Sequence, residues 1–123
     1  MAKVLLIDDD VFMLNALEIL VKALGHEAIK ATNGEEGLVK AIQHRPDLIV
    51  LDLLLPKKDG LTVCDELRRL KRTANTPIIV LSSLDGEWDR QDALRRGVND
   101  YLTKPVNRQA FMNRLRMFLR ETD

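Results

Sequence analysis

The sequence predicts a three-layer, doubly wound α/β domain, in which a parallel sheet lies between two layers of helices. Three observations favour this class. Five short apolar segments alternate with longer segments of helical periodicity, Gly and Pro residues separate them at regular intervals, and most of the apolar segments lack polar alternation. Strands that are apolar throughout are typical of a parallel sheet covered on both faces, with right-handed crossovers through helices. The 123 residues fit one domain, so we assign residues 1–123 to it.

The strand candidates are short runs rich in aliphatic and β-branched residues. They cover residues 4–7, 26–31, 48–51, 78–81 and 100–103. The second is the weakest because polar residues interrupt it. The other four predict strands that are buried on both faces.

Helical periodicity accounts for the segments between and after the strands. Asn33 is suited to cap the second helix, which must end before Pro46, and Gly25 ends the first. Residues 86–96 form a weaker, mostly polar fourth helix. The apolar stripes of the five helices comprise Leu14, Leu17, Val21 and Leu24; Leu38, Ala41 and Ile42; Val63, Leu67 and Leu70; Trp88 and Leu94; and Phe111, Leu115 and Phe118.

Composition excludes several classes of protein. Nineteen basic and nineteen acidic residues give zero net charge, so there is no electrostatic reason to expect nucleic acid or an anionic membrane as a partner. No apolar run approaches the ~20 residues that cross a bilayer. Cys64 is the only cysteine, cannot form an internal disulfide, and is expected on the core side of the third helix. We therefore expect a cytoplasmic domain.

Polar and charged side chains follow the apolar strands at the points where those strands end. They are Asp8, Asp9 and Asp10 after the first strand, Asp52 after the third, Ser82 and Ser83 after the fourth, and Lys104 after the fifth. The carboxyl ends of parallel strands lie at one edge of the sheet, where open α/β folds bind ligands. The sequence therefore predicts one site built from four strands. The aspartate triplet also fits a simple polar turn in which Asp10 caps the next helix.

Asp52 is the most informative of these residues because it interrupts the apolar string LIVLDLLLP, where an isolated carboxylate would be costly. Two carboxylates ~4 Å apart repel by about 4 kcal/mol at an effective dielectric constant of ~20. Such a cluster favours a cation, and hard oxygen ligands favour Mg²⁺.

Phosphoryl transfer to a carboxylate is the chemistry that this set supports. Asp52 is the predicted nucleophile, Mg²⁺ and Lys104 would neutralise the phosphoryl oxygens, and Ser82 would hydrogen-bond one of them. His26 and His44 fall at a strand start and a helix end. We interpret both as surface residues, which leaves no Ser–His–Asp arrangement.

The strings VLLIDDD, DLIVLDLLLPKKDG, PIIVLSS and DYLTKP carry a family resemblance. Over essentially its whole length, the chain resembles a response-regulator receiver domain of bacterial two-component signalling. That resemblance implies a flavodoxin-like (βα)5 fold with strand order 2-1-3-4-5. Two departures are small: Ser82 replaces the commoner threonine, and Ser83 stands where alanine is frequent.

The resemblance also implies a role for each site residue. Asp8 and Asp9 would be the acidic pair, with Asp9 a direct Mg²⁺ ligand and Asp8 more often reaching the ion through water. Asp52 would be the phosphoacceptor and a metal ligand. The backbone carbonyl of Leu54 would be the third protein ligand.

A switch is implied as well. Ser82 would stand at the hydroxyl position that moves toward the phosphate, Tyr101 at the aromatic position that turns inward after it, and Lys104 at the family's lysine. The Lys104–Pro105 bond is expected to be cis. Leu54 and Leu84 would flank the approach of water to the aspartyl phosphate, and as apolar side chains they predict slow self-dephosphorylation.

The partners implied by the resemblance are a sensor histidine kinase or a histidine phosphotransfer protein, which supply the phosphoryl group. The surface of the fourth helix, fifth strand and fifth helix would change on phosphorylation and support docking or homodimerisation. It carries charges of both signs, namely Arg90, Arg95, Asp100, Arg114 and Arg116. The domain would catalyse its own phosphorylation and slow dephosphorylation but would not be a turnover enzyme.

Three alternatives remain. A haloacid-dehalogenase-type phosphatase would use Asp8 as its nucleophile in a DxD motif with Asp10, but it leaves Asp52 unexplained. An FMN-binding protein of the same fold would need a phosphate loop where the aspartate triplet stands. A pseudo-receiver that only docks would not need the full acceptor set. The stimulus, the output, and whether the receiver stands alone or belongs to a longer regulator are left open.

Overall fold

Five strands and five helices alternate along residues 1–119, the part of the chain that the computed structural model describes. The strands are β1 (Lys3–Ile7), β2 (Glu27–Ala31), β3 (Leu48–Leu51), β4 (Ile78–Ser82) and β5 (Asp100–Thr103). The helices are α1 (Val11–Ala23), α2 (Gly34–His44), α3 (Gly60–Arg69), α4 (Glu87–Arg95) and α5 (Arg108–Leu119). Residues 120–123 of the predicted domain lie outside the described residues.

All neighbouring strands are parallel, and their order across the sheet is β2-β1-β3-β4-β5. Alternate side chains of each strand enter opposite layers. Val4 and Leu6 of β1 pack with α1 and α5, whereas Leu5 and Ile7 pack with α2, α3 and α4. All four side chains are buried. The predicted class and strand order are confirmed, and burial on both faces explains why these strands are apolar throughout.

The register of the sheet positions the residues that follow the strands. Ile7 of β1 pairs with Leu51 of β3, so Asp8 and Asp52 leave the sheet side by side. The Asp52 N–H donates to the Ile7 carbonyl at 3.0 Å. Backbone pairing thus fixes the two carboxylates next to each other before any side-chain contact is considered.

The residues predicted to begin and end the first two helices do so in the structure. The Asn33 side chain caps α2 by accepting from the Glu36 N–H at 2.8 Å, and Asp10 caps α1. Gly25, with φ of +84°, follows the end of α1 in the left-handed region, where glycine meets no Cβ penalty.

The interpretation of His26 as a surface residue is wrong. Its ring is buried, with 8% exposure, and its Nδ1 accepts a hydrogen bond from the Ala2 N–H at 3.0 Å. Strand β2 begins one residue later than predicted. His44, the last residue of α2, is half-buried. The contact between His26 and the start of the chain joins residues 24 positions apart, and a local pattern does not contain it.

Three smaller differences concern helix faces and ends. Helix α3 ends at Arg69, because Leu70 has an extended backbone. Helix α4 is one residue shorter at each end than the predicted 86–96. Ile42, expected on the apolar stripe of α2, is 38% exposed. Cys64 is buried on the core side of α3, as predicted, and burial raises the pKa of its thiol. Within residues 1–119, no helix is long and apolar enough to span a bilayer.

Candidate functional site

Two buried carboxylates and one ammonium group meet at the carboxyl edge of the sheet. The Lys104 Nζ lies 2.8 Å from Asp8 Oδ2 and 3.0 Å from Asp52 Oδ2. Asp8 is 3% exposed and Asp52 is 6% exposed. These residues come from the ends of β1, β3 and β5, so the sheet topology brings together side chains that are far apart in sequence. Buried charges are tolerated when they are paired in this way.

Backbone N–H groups orient the remaining carboxylate oxygens. The Asp10 N–H donates to Asp8 Oδ1 at 2.9 Å, and the Leu54 N–H donates to Asp52 Oδ1 at 3.1 Å. Each donor lies two residues after its carboxylate. Both side chains are therefore held from two sides, by Lys104 and by their own chain.

Asp9 extends this pair into an acidic cluster. Carboxylate oxygens of Asp8, Asp9 and Asp52 lie within 4.8 Å of one another, and Asp9 is exposed at the mouth of the cluster. Among these groups three carboxylates face the one ammonium of Lys104, which leaves an excess of negative charge. Carboxylate oxygens are the ligands that Mg²⁺ prefers. The donor set therefore fits a hard divalent cation.

The pKa values of Asp8 and Lys104 are both raised, but for different reasons. Burial raises the pKa of Asp8, and the hydrogen bonds from Lys104 and Asp10 offset this only in part. Burial lowers the pKa of Lys104, but its hydrogen bonds to Asp8 and Asp52 outweigh that effect, and its net pKa is raised. The hydrogen bonds to the two carboxylates therefore favour the protonated form of Lys104, whereas burial disfavours the negative charge of Asp8.

The next two strands across the sheet from β3 contribute Ser82, on β4, and Tyr101, on β5. Ser82 is fully buried as the last residue of β4, and its Oγ accepts from the Leu84 N–H at 3.3 Å. The Tyr101 ring is buried with 3% exposure, and its hydroxyl donates to the Leu84 carbonyl at 2.6 Å. Burial raises the pKa of Tyr101. Tyr101 thus already points inward, whereas the family resemblance implies that the inward position follows phosphorylation.

Leu54 and Leu84 differ in how they border the site. The Leu54 side chain is 51% exposed, whereas Leu84 packs partly buried against the core cluster of β3, α3 and α4. The backbone of Leu84 also links Ser82 to Tyr101, a connection that sequence reasoning missed. The Lys104–Pro105 bond is cis, as predicted.

The surface of α4, β5 and α5 carries the charged groups that the sequence analysis named. Arg90 of α4 donates to the Tyr101 carbonyl at 3.2 Å, and Arg114 of α5 pairs with Asp100 of β5. Arg95 and Arg116 are exposed. These contacts join all three elements next to the buried ring of Tyr101.

Comparison with known proteins adds an independent line of evidence. The sequence model of the response regulator receiver domain matches residues 4–116. The chain is 42% identical over 123 residues to the DNA-binding dual master transcriptional regulator RpaA of Synechocystis sp., a match that covers 100% of this chain and 51% of that protein. The chain spans about half the length of the curated relatives it matches.

Solved structures agree in fold. The receiver domain of the Francisella response regulator 1452 superposes with a TM-score of 0.89 at 31% identity, covering 96% of each chain. The receiver domain of the sensor histidine kinase PA1611 from Pseudomonas aeruginosa gives a TM-score of 0.88 at 28% identity, covering 98% of each chain. That structure contains a magnesium ion coordinated in its active site cleft.

Proposed function

Because the chain belongs to the response regulator receiver domain family, we propose that it accepts a phosphoryl group on Asp52 and transmits a signal by doing so. The observation that carries this proposal is the position of the Lys104 ammonium between the buried carboxylates of Asp8 and Asp52. The carboxylates could hold a divalent cation beside this fixed ammonium, and two cationic groups side by side are suited to a reaction that brings in a negatively charged group.

Asp52 would act as the nucleophile. One carboxylate oxygen forms a bond to phosphorus, the bond from phosphorus to the donor's histidine nitrogen breaks, and its electron pair stays on that imidazole. Lys104 would hold its ammonium against a transferred oxygen, and the Ser82 hydroxyl would donate to another. The Leu54 N–H holds the Asp52 carboxylate in place throughout.

Asp8, Asp9, Asp52 and the backbone carbonyl of Leu54 would hold Mg²⁺. When bound, the ion would supply charge neutralisation for the phosphoryl oxygens. The support for this ligand set is the 4.8 Å cluster of carboxylate oxygens and the negative charge that remains beside Lys104.

The switch would run through Ser82 and Tyr101. A Ser82 hydroxyl that turns toward the phosphate gives up its contact with the Leu84 N–H, which alters the loop that also receives the Tyr101 hydroxyl. The surface of α4, β5 and α5 would then change its population of conformations and dock a partner or a second copy. A sensor histidine kinase or histidine phosphotransfer protein would supply the phosphoryl group.

We further propose that this domain itself turns over no external substrate and binds no nucleic acid. The RpaA relative is named as DNA-binding, but the zero net charge of this chain gives no electrostatic reason for such contact here. The alternative phosphatase, with Asp8 as nucleophile, gains no support from the family match. We expect a cytoplasmic location.

Incubation with acetyl phosphate and Mg²⁺ separates the two functions. We expect one phosphoryl group per chain by intact mass, dependence on Mg²⁺, and no sustained hydrolysis of a phosphomonoester such as p-nitrophenyl phosphate. Many turnovers of the phosphomonoester, abolished by Asp8→Asn but not by Asp52→Asn, would instead establish the phosphatase.

A further inference from the structure

The loop from β3 to α3 contains a strained turn close to the site. Lys57 has φ of +69°, and the Lys58 N–H donates to the Pro56 carbonyl at 2.7 Å. This is a three-residue γ-turn of the rare hand. A residue other than glycine persists in such a conformation only when its surroundings hold it. The loop therefore needs support from outside itself.

One support comes from α3. The Gly60 N–H donates to the Leu53 carbonyl at 2.9 Å, and a Cβ on Gly60 would lie 2.5 Å from the Asp52 carbonyl oxygen. The first turn of α3 thus lies directly on the backbone that carries Asp52. The bond between Gly60 and Leu53 closes the base of the loop, so Leu54 is the first residue of a loop whose two ends are held together next to Asp52.

A second support comes from α2, which contributes no side chain to the site. A Cβ on Gly34, the first residue of α2, would lie 2.7 Å from the Lys58 carbonyl oxygen and 2.7 Å from Val63 Cγ2. Real Cβ atoms essentially never approach other atoms this closely. Only glycine lets the start of α2 rest on the carbonyl that follows the strained turn.

The Lys58 side chain is held from the other direction. Its Nζ lies 2.8 and 2.9 Å from the two carboxylate oxygens of Glu66 on α3. Lys58 is therefore fixed by its backbone against α2 and by its side chain against α3. The end of this loop has little room to relax if Gly34 acquires a methyl group.

We propose that Gly34 is a positioning residue for the phosphoacceptor loop. By allowing α2 to lie against the Lys58 carbonyl, it holds the turn at Lys57 in place, and so keeps the Leu54 carbonyl and the Asp52 carboxylate in the arrangement that receives the ion and the phosphoryl group. This inference rests on the proposed function of Asp52.

The test compares Gly34→Ala with a matched control, Gly37→Ala. Gly37 lies one turn along α2 and is equally crowded, but its neighbours within 3.2 Å are side-chain atoms of Ile7, the nearest of them the flexible end of that chain. Three quantities are measured: backbone amide shifts of Leu54 and Lys58 with no phosphodonor, Mg²⁺ affinity by calorimetry, and the rate of phosphorylation by acetyl phosphate.

We expect Gly34→Ala to shift the Leu54 and Lys58 amides and to weaken Mg²⁺ binding and slow phosphorylation by at least about tenfold each, since a 1 Å misplacement can cost 10²-fold. Gly37→Ala should stay within about twofold of wild type in both quantities, because its crowding falls on the Ile7 side chain and not on the backbone of the loop from β3 to α3. Wild-type values for a folded Gly34→Ala protein would overturn the proposal.

The double variant Gly34→Ala/Val63→Ala addresses folding. It removes the crowding against Val63 but leaves the contact with the Lys58 carbonyl, so it should fold and remain impaired in Mg²⁺ binding. Full recovery of Mg²⁺ affinity would assign the defect to side-chain packing, and failure of both variants to fold would assign Gly34 to folding alone. Either result overturns the proposal. A wild-type chain that takes no phosphoryl group would contradict the proposed function, whereas the amide shifts would still report on the loop.

Discussion

The Lys104 ammonium lies 2.8 Å from a carboxylate oxygen of Asp8, although 96 positions separate the two residues. The same ammonium lies 3.0 Å from Asp52, so one cation serves two buried carboxylates. The raised pKa of Asp8 indicates that burial outweighs the attraction of this cation. Because burial of Asp8 outweighs its attraction to Lys104, the free energy of unfolding should depend on pH and on divalent cations.

Asp8→Asn should stabilise the protein at neutral pH in the absence of divalent cations. The folded pKa of Asp8 lies above its reference value of 3.8, so the stability that Asp8 contributes below pH 3.8 is lost as pH rises through the folded pKa. The neutral amide avoids this loss. We expect a gain in the free energy of unfolding of about 1 kcal/mol at pH 7, measured by urea denaturation.

The pH dependence provides the control for Asp8→Asn. Below pH 3.8 the carboxyl is protonated in both states, so the advantage of the variant should disappear there. Glu35→Gln, at an exposed acidic residue in the first turn of α2, should show no comparable gain. A less stable Asp8→Asn protein at pH 7 would mean that the bond to Lys104 outweighs the cost of burial.

Mg²⁺ should stabilise the wild-type protein against heat, and chelation should reverse the effect. A ligand that binds only the folded state at 100 times its Kd adds ~2.7 kcal/mol. Asp9→Asn removes one exposed carboxylate from the cluster and should reduce the Mg²⁺-dependent rise in Tm without changing the Tm of the metal-free protein. An equal rise in Tm in the wild-type and Asp9→Asn proteins would place the ion elsewhere.

The positions of Asp8, Asp52 and Lys104 could be predicted because they depend on topology. Apolar strands identify a parallel sheet, and the residues that follow its strands must then share an edge. The cap at Asn33 was equally accessible, since the chain encodes it within three residues.

Other features could not be predicted from the sequence, because they depend on contacts between segments that are far apart in the chain. His26 was misjudged because its partner is the backbone of Ala2. The inward position of Tyr101 on β5 depends on a hydrogen bond to Leu84, which lies in the loop that follows β4. The fit of Gly34 against Lys58 depends on how α2 packs on a loop that precedes α3. Periodicity predicts which residues are buried but not the atoms they meet.

The lifetime of the phosphorylated state should be long and should depend on Leu54 and Leu84. Neither side chain can orient a water molecule for attack on the aspartyl phosphate. The double variant Leu54→Asn/Leu84→Glu should therefore lose its phosphoryl group at least about tenfold faster, a threshold below the ~10²–10⁴-fold that a positioned general base typically contributes. The decay is followed by intact mass after removal of acetyl phosphate. Leu94→Glu, at a half-exposed position on α4, is the matched control. An unchanged decay rate in the double variant would refute this account of the lifetime.

Beryllofluoride with Mg²⁺, a mimic of the phosphoryl group, should change the surface of α4, β5 and α5. We expect amide shifts in these elements and an increase in self-association, measured by light scattering. Arg114→Ala removes the ion pair with Asp100 and should weaken association while the amides near Asp52 still respond. If no backbone amide of this surface shifts in the wild-type protein, phosphorylation does not act through α4, β5 and α5.

The most direct test of the central claim is the identity of the phosphorylated residue. Acetyl phosphate and Mg²⁺ are added to the wild-type, Asp52→Asn and Asp9→Asn proteins, and intact masses are followed by peptide mapping. We predict one phosphoryl group on Asp52 in the wild type, none in a folded Asp52→Asn protein, and slower labelling of the same residue in Asp9→Asn. Labelling of Asp52→Asn at the wild-type rate, or a phosphoryl group mapped to Asp8 or Asp9 in the wild type, would contradict the account.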